Sequence, residues 1–216
     1  MKFMLMIVTD EPAERALPPS EIDKIIAQHI AVGRELRATG RWVGSGRLRF
    51  SEEATTIRVQ DGKHVALDGP FAETKEQIGG FYLIEADSQE AAIEWAKKLP
   101  LRDVGAIEVR PARTGARWRG DLGRAPHFLV MFIANANKPL SKAEVFRAID
   151  SHYELSLDLA AQGKFVSSRA LEPSPAAVTI RRKNGAHVVS DGPFAETKEF
   201  VAGYFVIACD SKAEAI

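Results

Sequence analysis

The 216-residue chain has one cysteine, Cys209. A single thiol forms no internal disulfide and no CxxC pair, so a reducing, cytoplasmic setting is the expectation. Beside a strand-like apolar run, Cys209 reads as a small buried residue. Metal-ligand spacings are also missing: there is no HxH, HExxH or CxxC. Neither a metal nor another cofactor is therefore expected. Gly33, Gly40, Gly44 and Gly46 lack the spacing of a phosphate-cradling loop, and no serine sits in a nucleophile elbow. There is no charge excess either, with 29 Lys and Arg against 29 Asp and Glu. Proteins that hold nucleic acid through its phosphates carry a basic excess, so no direct nucleic-acid binding is expected. No apolar run approaches the length of a membrane span, so no membrane contact is expected. The apolar residues 1–8 are too few for a signal peptide, and Asp10 and Glu11 follow at once.

What the chain does have is a repeat. Asp68-Gly69-Pro70-Phe71-Ala72-Glu73-Thr74-Lys75-Glu76 returns unchanged as Asp191-Gly192-Pro193-Phe194-Ala195-Glu196-Thr197-Lys198-Glu199. Around it, residues 29–93 align with 152–216 at a constant offset, and about 30 of the pairs are identical. A repeat this long is a duplicated domain rather than a solenoid unit. The expected layout is a first domain at 1–111, a basic Gly/Pro linker at 112–126 and a second domain at 127–216. In the second copy Ile216 corresponds to Ile93, so that copy reads as incomplete at its C-terminal side.

Within the first copy the order of elements follows from periodicity and turn chemistry. Residues 3–9 read as a buried strand, repeated at Phe128-Leu129-Val130-Met131-Phe132-Ile133. A helix begins at Pro18-Pro19-Ser20, with Ser20 as N-cap candidate and Asp23 at the capping-box position. Ile22, Ile25, Ile26, His29, Val32, Gly33 and Leu36 recur on one face of it, and Gly40 is the expected C-cap. Residues 41–50 read as extended and glycine-rich. Asp61-Gly62 between two β-prone runs signals a hairpin. A strand at 80–86, a helix capped by Ser88 and a strand at 104–109 complete the copy. This is an α+β, ferredoxin-like plan with strands added in its middle. Its sheet carries helices on one face only, so the two tandem copies are expected to pack sheet on sheet as an intrachain pseudo-dimer. A symmetric partner chain, forming a homo-oligomer, is the other way to cover an open edge.

Four of the five histidines fall at matched positions: His29 with His152, and His64 with His187. His29 and His152 lie on the apolar stripe of their helices. They fit either a core histidine bonded to a carbonyl or an imidazole facing a pocket and titrating near neutral pH. Asp68 and Asp191 close a strand before Gly-Pro. They fit either a turn-capping carboxylate or one that orients the helix histidine. His64 follows the hairpin and reads as exposed; it lies about 13 Å along the strand from Asp68 at ~3.3 Å per residue. Lys75 and Lys198 are candidates to bind a substrate carboxylate, and Glu73 and Glu196 to act as bases. Their loop also fits a purely structural role.

The repeated string, with a helix histidine followed by Gly-Arg-Trp or Gly-Lys-Phe at the next strand, resembles the YCII-related family in its DGPF branch. The resemblance covers nearly the whole chain. It implies a dimeric α/β-barrel, ferredoxin-like fold, and a His-Asp site comparable with that of muconolactone-isomerase-like enzymes. The aspartate of simpler members falls where this chain has Lys98-Leu99-Pro100-Leu101, so Asp68 and Asp191 are the substitutes for a dyad with His29 and His152. The implied function is small-molecule binding with proton-transfer chemistry of isomerase or lyase type. The alternative is a ligand sensor or accessory protein linked to sigma-factor-dependent transcription, since branch members are often encoded beside such factors.

Overall fold

The computed structural model describes residues 1–72, 74–113, 115 and 126–216. Most of the expected linker, residues 114 and 116–125, falls outside the described residues. In chain order the elements are β1 (Lys2–Asp10), α1 (Glu11–Arg15), α2 (Pro19–Ala38), β2 (Trp42–Arg47), β3 (Thr55–Gln60), β4 (Lys63–Asp68), β5 (Glu76–Glu85), α3 (Gln89–Lys97) and β6 (Ala106–Ala112). The second repeat follows with β7 (His127–Asn135), α4 (Lys142–Ala161), β8 (Phe165–Ala170), β9 (Val178–Lys183), β10 (Ala186–Asp191), β11 (Glu199–Ala208) and α5 (Lys212–Ala215). The chain is α+β, and its two repeats are ferredoxin-like.

Two compact units interleave along the sequence. One is Met1–Ala112 with Glu172–Glu196; the other is Arg113–Leu171 with Thr197–Ile216. The first holds a six-stranded sheet in the order β10-β9-β6-β1-β5-β2, antiparallel throughout. Its β6-β1-β5-β2 part is the ferredoxin-like core. β9 and β10, the hairpin of the second repeat, extend that sheet at the edge of β6, with Ile107 opposite Ile180 and Val109 opposite Val178. The first repeat's own hairpin, β3 and β4, forms a separate two-stranded ribbon. The second unit carries β7-β11-β8, the equivalents of β1, β5 and β2.

Local chemistry accounts for the elements. β1 is the central strand of the core and is apolar on both sides: Phe3, Met4, Leu5, Met6 and Val8 are all buried. On one face Phe3 and Leu5 meet Val32 and Leu36 of α2, Ala92 and Ala96 of α3, and Ile107 and Val109 of β6. Ser88 caps α3 by accepting from the Ala91 N–H at 3.2 Å. α2 starts one residue earlier than its expected cap. Pro19 takes the first helical position, where its missing N–H costs nothing, and Ser20 lies inside the helix without a capping bond. Its other end matches expectation: Gly40 at φ +68 follows the C-cap Thr39, and the Arg41 N–H reaches back to the Leu36 carbonyl at 2.8 Å. Asp61 and Gly62, and Asn184 and Gly185, have the paired positive φ of tight hairpins. In the second unit α4 has a full capping box from Ser141 and Glu144. Cys209 is buried there with Phe205 and Ile207.

Where β9 joins β6, a buried ion pair sits in the strand. Glu108 and Arg110 are both buried and bonded to each other. Glu108 also accepts from the Phe194 backbone N–H at 3.1 Å. Removing one member of a buried, bonded charge pair is strongly destabilising. Glu108→Ala is therefore expected to lower stability by about 3–5 kcal/mol, read as a shifted midpoint in urea denaturation. An unchanged midpoint would show that this pair does not hold the strands together.

Candidate functional site

The amphipathic stripe of α2 divides along its length. Its C-terminal half, Val32 and Leu36, is buried in the core. Its N-terminal half, Ile22, Ile25, Ile26 and His29, lines a cavity of about 500 Å³ in the first unit. That volume lies within the range of small-molecule pockets. Gly46, Gly79 and Gly80 bring bare backbone to the cavity lining. Gly46 of β2 and Gly80 of β5 lie so close that a Cβ on Gly80 would meet the Gly46 carbonyl at 2.9 Å. Leu17, Leu101 and Val104 add apolar wall.

Onto this apolar surface converge four arginines, Arg34, Arg37, Arg47 and Arg102, and one glutamate, Glu14. Arg37 is fixed from two sides. It donates to the Gly33 carbonyl at 3.2 Å, and its guanidinium lies 4.2 Å from the Trp42 ring centre. Arg47 pairs with Glu14 at 3.1 Å. The pocket thus combines an apolar body with an excess of cationic groups.

His29 and Tyr82 form the polar centre. The His29 Nδ1 lies 3.2 Å from the Tyr82 hydroxyl, and that hydroxyl donates to the His29 carbonyl at 3.3 Å. With the phenol proton directed to the carbonyl, the phenol oxygen accepts from Nδ1–H, and Nε2 keeps its lone pair. Burial, helped by the nearby Arg47 charge, pushes the His29 pKa down to about 4. Burial also raises the Tyr82 phenol, against an opposing pull from Arg37. At neutral pH the pair is uncharged.

The second repeat does not reproduce this chemistry. His152 packs on Phe132 and Phe205, with ring centres 4.3 and 5.9 Å away. Phe205 occupies the position of Tyr82, so no hydroxyl is offered there. Leu157, Ala160 and Ala170 stand where the first repeat has Arg34, Arg37 and Arg47. Burial lowers the His152 pKa too. Tyr82 and the arginines are not among the residues singled out from sequence. The signal that marks them is divergence between aligned copies rather than identity.

The repeated string has its own structural work. Gly69 and Gly192 sit at φ +101 and +96, a region open mainly to glycine. Thr56 bonds the Gly69 carbonyl at 2.9 Å and Thr179 the Gly192 carbonyl at 2.8 Å. Arg58 donates to the Phe71 carbonyl at 3.0 Å, and Arg181 to that of Phe194 at 2.9 Å. Asp68 and Asp191 end their strands exposed, their backbones opposite Thr55 and Val178. Lys75 pairs with Asp10 at 3.2 Å. The Asp10 carboxyl is held below its usual range chiefly by the Ala13 N–H that it caps, with Lys75 adding to this. Neither Asp68 nor Lys75 lines the cavity. Glu196 and Lys198 are exposed, as are His64 and His187. Glu73 lies outside the described residues. Among the described residues no group of His, Cys, Asp and Glu is arranged to hold a metal ion. Among them, too, no helix is long and apolar enough to cross a membrane.

A ferredoxin-like repeat, a histidine on its first helix and the doubled Asp-Gly-Pro-Phe turn define a class of small α+β domain. The family comparison agrees: the model of the YCII-related domain matches residues 1–115 and 129–216, and the chain belongs to that family. It is also similar to an uncharacterized protein of Rhizobium meliloti (strain 1021), with 34% identity over 113 residues. That match covers 51% of this chain and 91% of the relative.

The depressed His29 pKa has a measurable consequence. The unfolded chain, at its ordinary value of 6.5, binds the proton before the folded chain does at about 4. Stability is therefore unaffected by this group above pH 6.5 and falls as pH drops from there to about 4. His29→Gln is expected to flatten that acid limb, and NMR of the His29 ring should show its titration near pH 4. A midpoint near 6.5 would mean that the ring is not desolvated.

Proposed function

We propose that this chain binds a small amphipathic anion, a carboxylate or phosphate on an aliphatic or aromatic body, in the cavity of its first repeat. The observation that carries the reading is the union of an apolar cavity of about 500 Å³ with Arg34, Arg37, Arg47 and Arg102 on its lining. Charge-assisted bonds from the guanidinium groups would take the anionic head. The wall of α2 isoleucines would take the body. His29, neutral and anchored by Tyr82, would accept at Nε2 a hydrogen bond from a hydroxyl or amide on the body of the ligand.

Binding leads over catalysis in this reading for a physical reason. An imidazole with a pKa near 4 is a weak base at neutral pH. The role is then that of a ligand-sensing or accessory module. Proton transfer is the second reading, and the paired His29 and Tyr82 favour it: an anionic ligand would counter the Arg47 field and raise the ring toward a working pKa. In that version Asp68 and Asp191 would serve His29 and His152 only after a rearrangement on binding.

A thermal-shift panel tests the proposal. Short alkyl and aryl carboxylates and phosphates are expected to raise the melting temperature, and matched amines and amides to leave it unchanged. A triple variant, Arg34→Leu, Arg37→Ala and Arg47→Ala, writes the second repeat's residues into the first and should abolish the shift. His29→Ala should keep the fold and weaken binding about tenfold. Equal shifts from anions and amines, or full binding by the triple variant, would remove the cavity from consideration.

A further inference from the structure

The two hairpins of the repeat have different neighbours, and that difference marks a strand edge that is unfilled among the described residues. β9 pairs with β10 on one edge and with β6 on the other. β6 docks there through three features. Ile107, Glu108 and Val109 lie opposite Ile180, Thr179 and Val178 in an antiparallel ladder. The Glu108 carboxylate accepts from the Phe194 N–H at 3.1 Å. Arg181 donates to the Gly105 carbonyl, just ahead of β6, at 3.1 Å. Ile180 is 0% exposed as a result.

β3 and β4 repeat this apparatus. Thr56, Ile57 and Arg58 match Thr179, Ile180 and Arg181, and the turn that follows is identical. Arg58 and Thr56 clamp that turn as Arg181 and Thr179 clamp theirs. Yet among the described residues β3 is paired with β4 alone, and Ile57 is 48% exposed. The orientation of the open edge follows from one bond. Ala54 accepts from the Gly69 N–H, so the polar groups of Ala54 face the β4 side. Alternation along an antiparallel strand then turns the N–H and C=O of Thr55 and Ile57 outward.

We propose that the outer edge of β3 is an acceptor for one extended protein strand with the chemistry of β6. The occupant is an aliphatic–glutamate–aliphatic segment of a partner polypeptide, antiparallel to β3. Its first aliphatic residue sits opposite Ile57, its glutamate opposite Thr56 and its second aliphatic residue opposite Thr55. The glutamate accepts from the Phe71 N–H. Main-chain bonds to an open edge supply affinity, and the glutamate supplies selectivity. The β6 of a second copy is unsuited to this role, because both of its edges are already paired, to β1 and to β9.

The test uses the full 216-residue chain and an end-blocked synthetic peptide with the sequence of residues 104–112. At about 1 mM peptide, the Thr55 and Ile57 amides are expected to exchange with deuterium about tenfold more slowly. The same peptide with lysine in place of its glutamate should give no slowing. Ile57→Pro removes a donor from the outer edge but none from the β4 side, and should abolish the effect. Unchanged exchange with the native-sequence peptide would overturn the proposal, as would equal slowing by the lysine peptide. So would amides already protected without peptide that lose protection on dilution, since the edge would then be filled by another copy of this chain.

Discussion

The pairing of β6 along both edges is the constraint on which the first unit depends. β1 takes one edge and β9 the other, which brings a hairpin from the second repeat into the sheet of the first. Docked there, Arg181 reaches Glu76 with both of its terminal nitrogens, at 2.6 and 2.8 Å. Glu76 opens β5, and β5 carries Gly79, Gly80 and Tyr82 to the cavity. Strand pairing at β6 is thus linked to the polar centre at His29 through one planar, two-point ion pair. A two-point contact of that kind fixes direction as well as distance, which a lysine at the same place would not do.

Duplication has divided the constraints on this sequence into two sets. Residues shared by both repeats include Thr56 with Thr179, Arg58 with Arg181 and the Gly-Pro-Phe of the turn. Each has a bond or backbone conformation that the turn requires in either copy. Residues that differ include Arg34, Arg37, Arg47 and Tyr82, against Leu157, Ala160, Ala170 and Phe205. These are the groups that give the first cavity its charge and its hydroxyl. Agreement in the turn therefore follows the architecture that the copies share, while the charge and the hydroxyl of the cavity belong to the first copy, although the helix histidine is common to both as His29 and His152.

Much of the architecture was legible from local pattern. The hairpin turn at Asp61-Gly62, the cap at Ser88 and the C-terminal glycine of α2 are all short-range features. So is the apolar β1, and together they give a ferredoxin-like order. The exchange of β9 and β10 into the first unit was not legible. Ile107 and Ile180 are far apart in the chain, and periodicity says that a strand exists without naming its partner. The start of α2 was not legible from capping chemistry, because a proline and not a capping side chain begins the helix. The cavity was legible only as one of two alternatives, because a stripe of isoleucines reads the same whether it faces a core or a hollow. His29 was legible as a candidate, whereas its bond to Tyr82 depends on a strand more than fifty residues away.

The central claim is that one repeat binds an anion and the other does not. Isothermal titration calorimetry with an aryl carboxylate at neutral pH tests it most directly, through the stoichiometry. The account predicts one site per chain, with heat that vanishes in the Arg34→Leu, Arg37→Ala, Arg47→Ala variant. Two equivalent sites per chain, or one site that survives those substitutions, would contradict it.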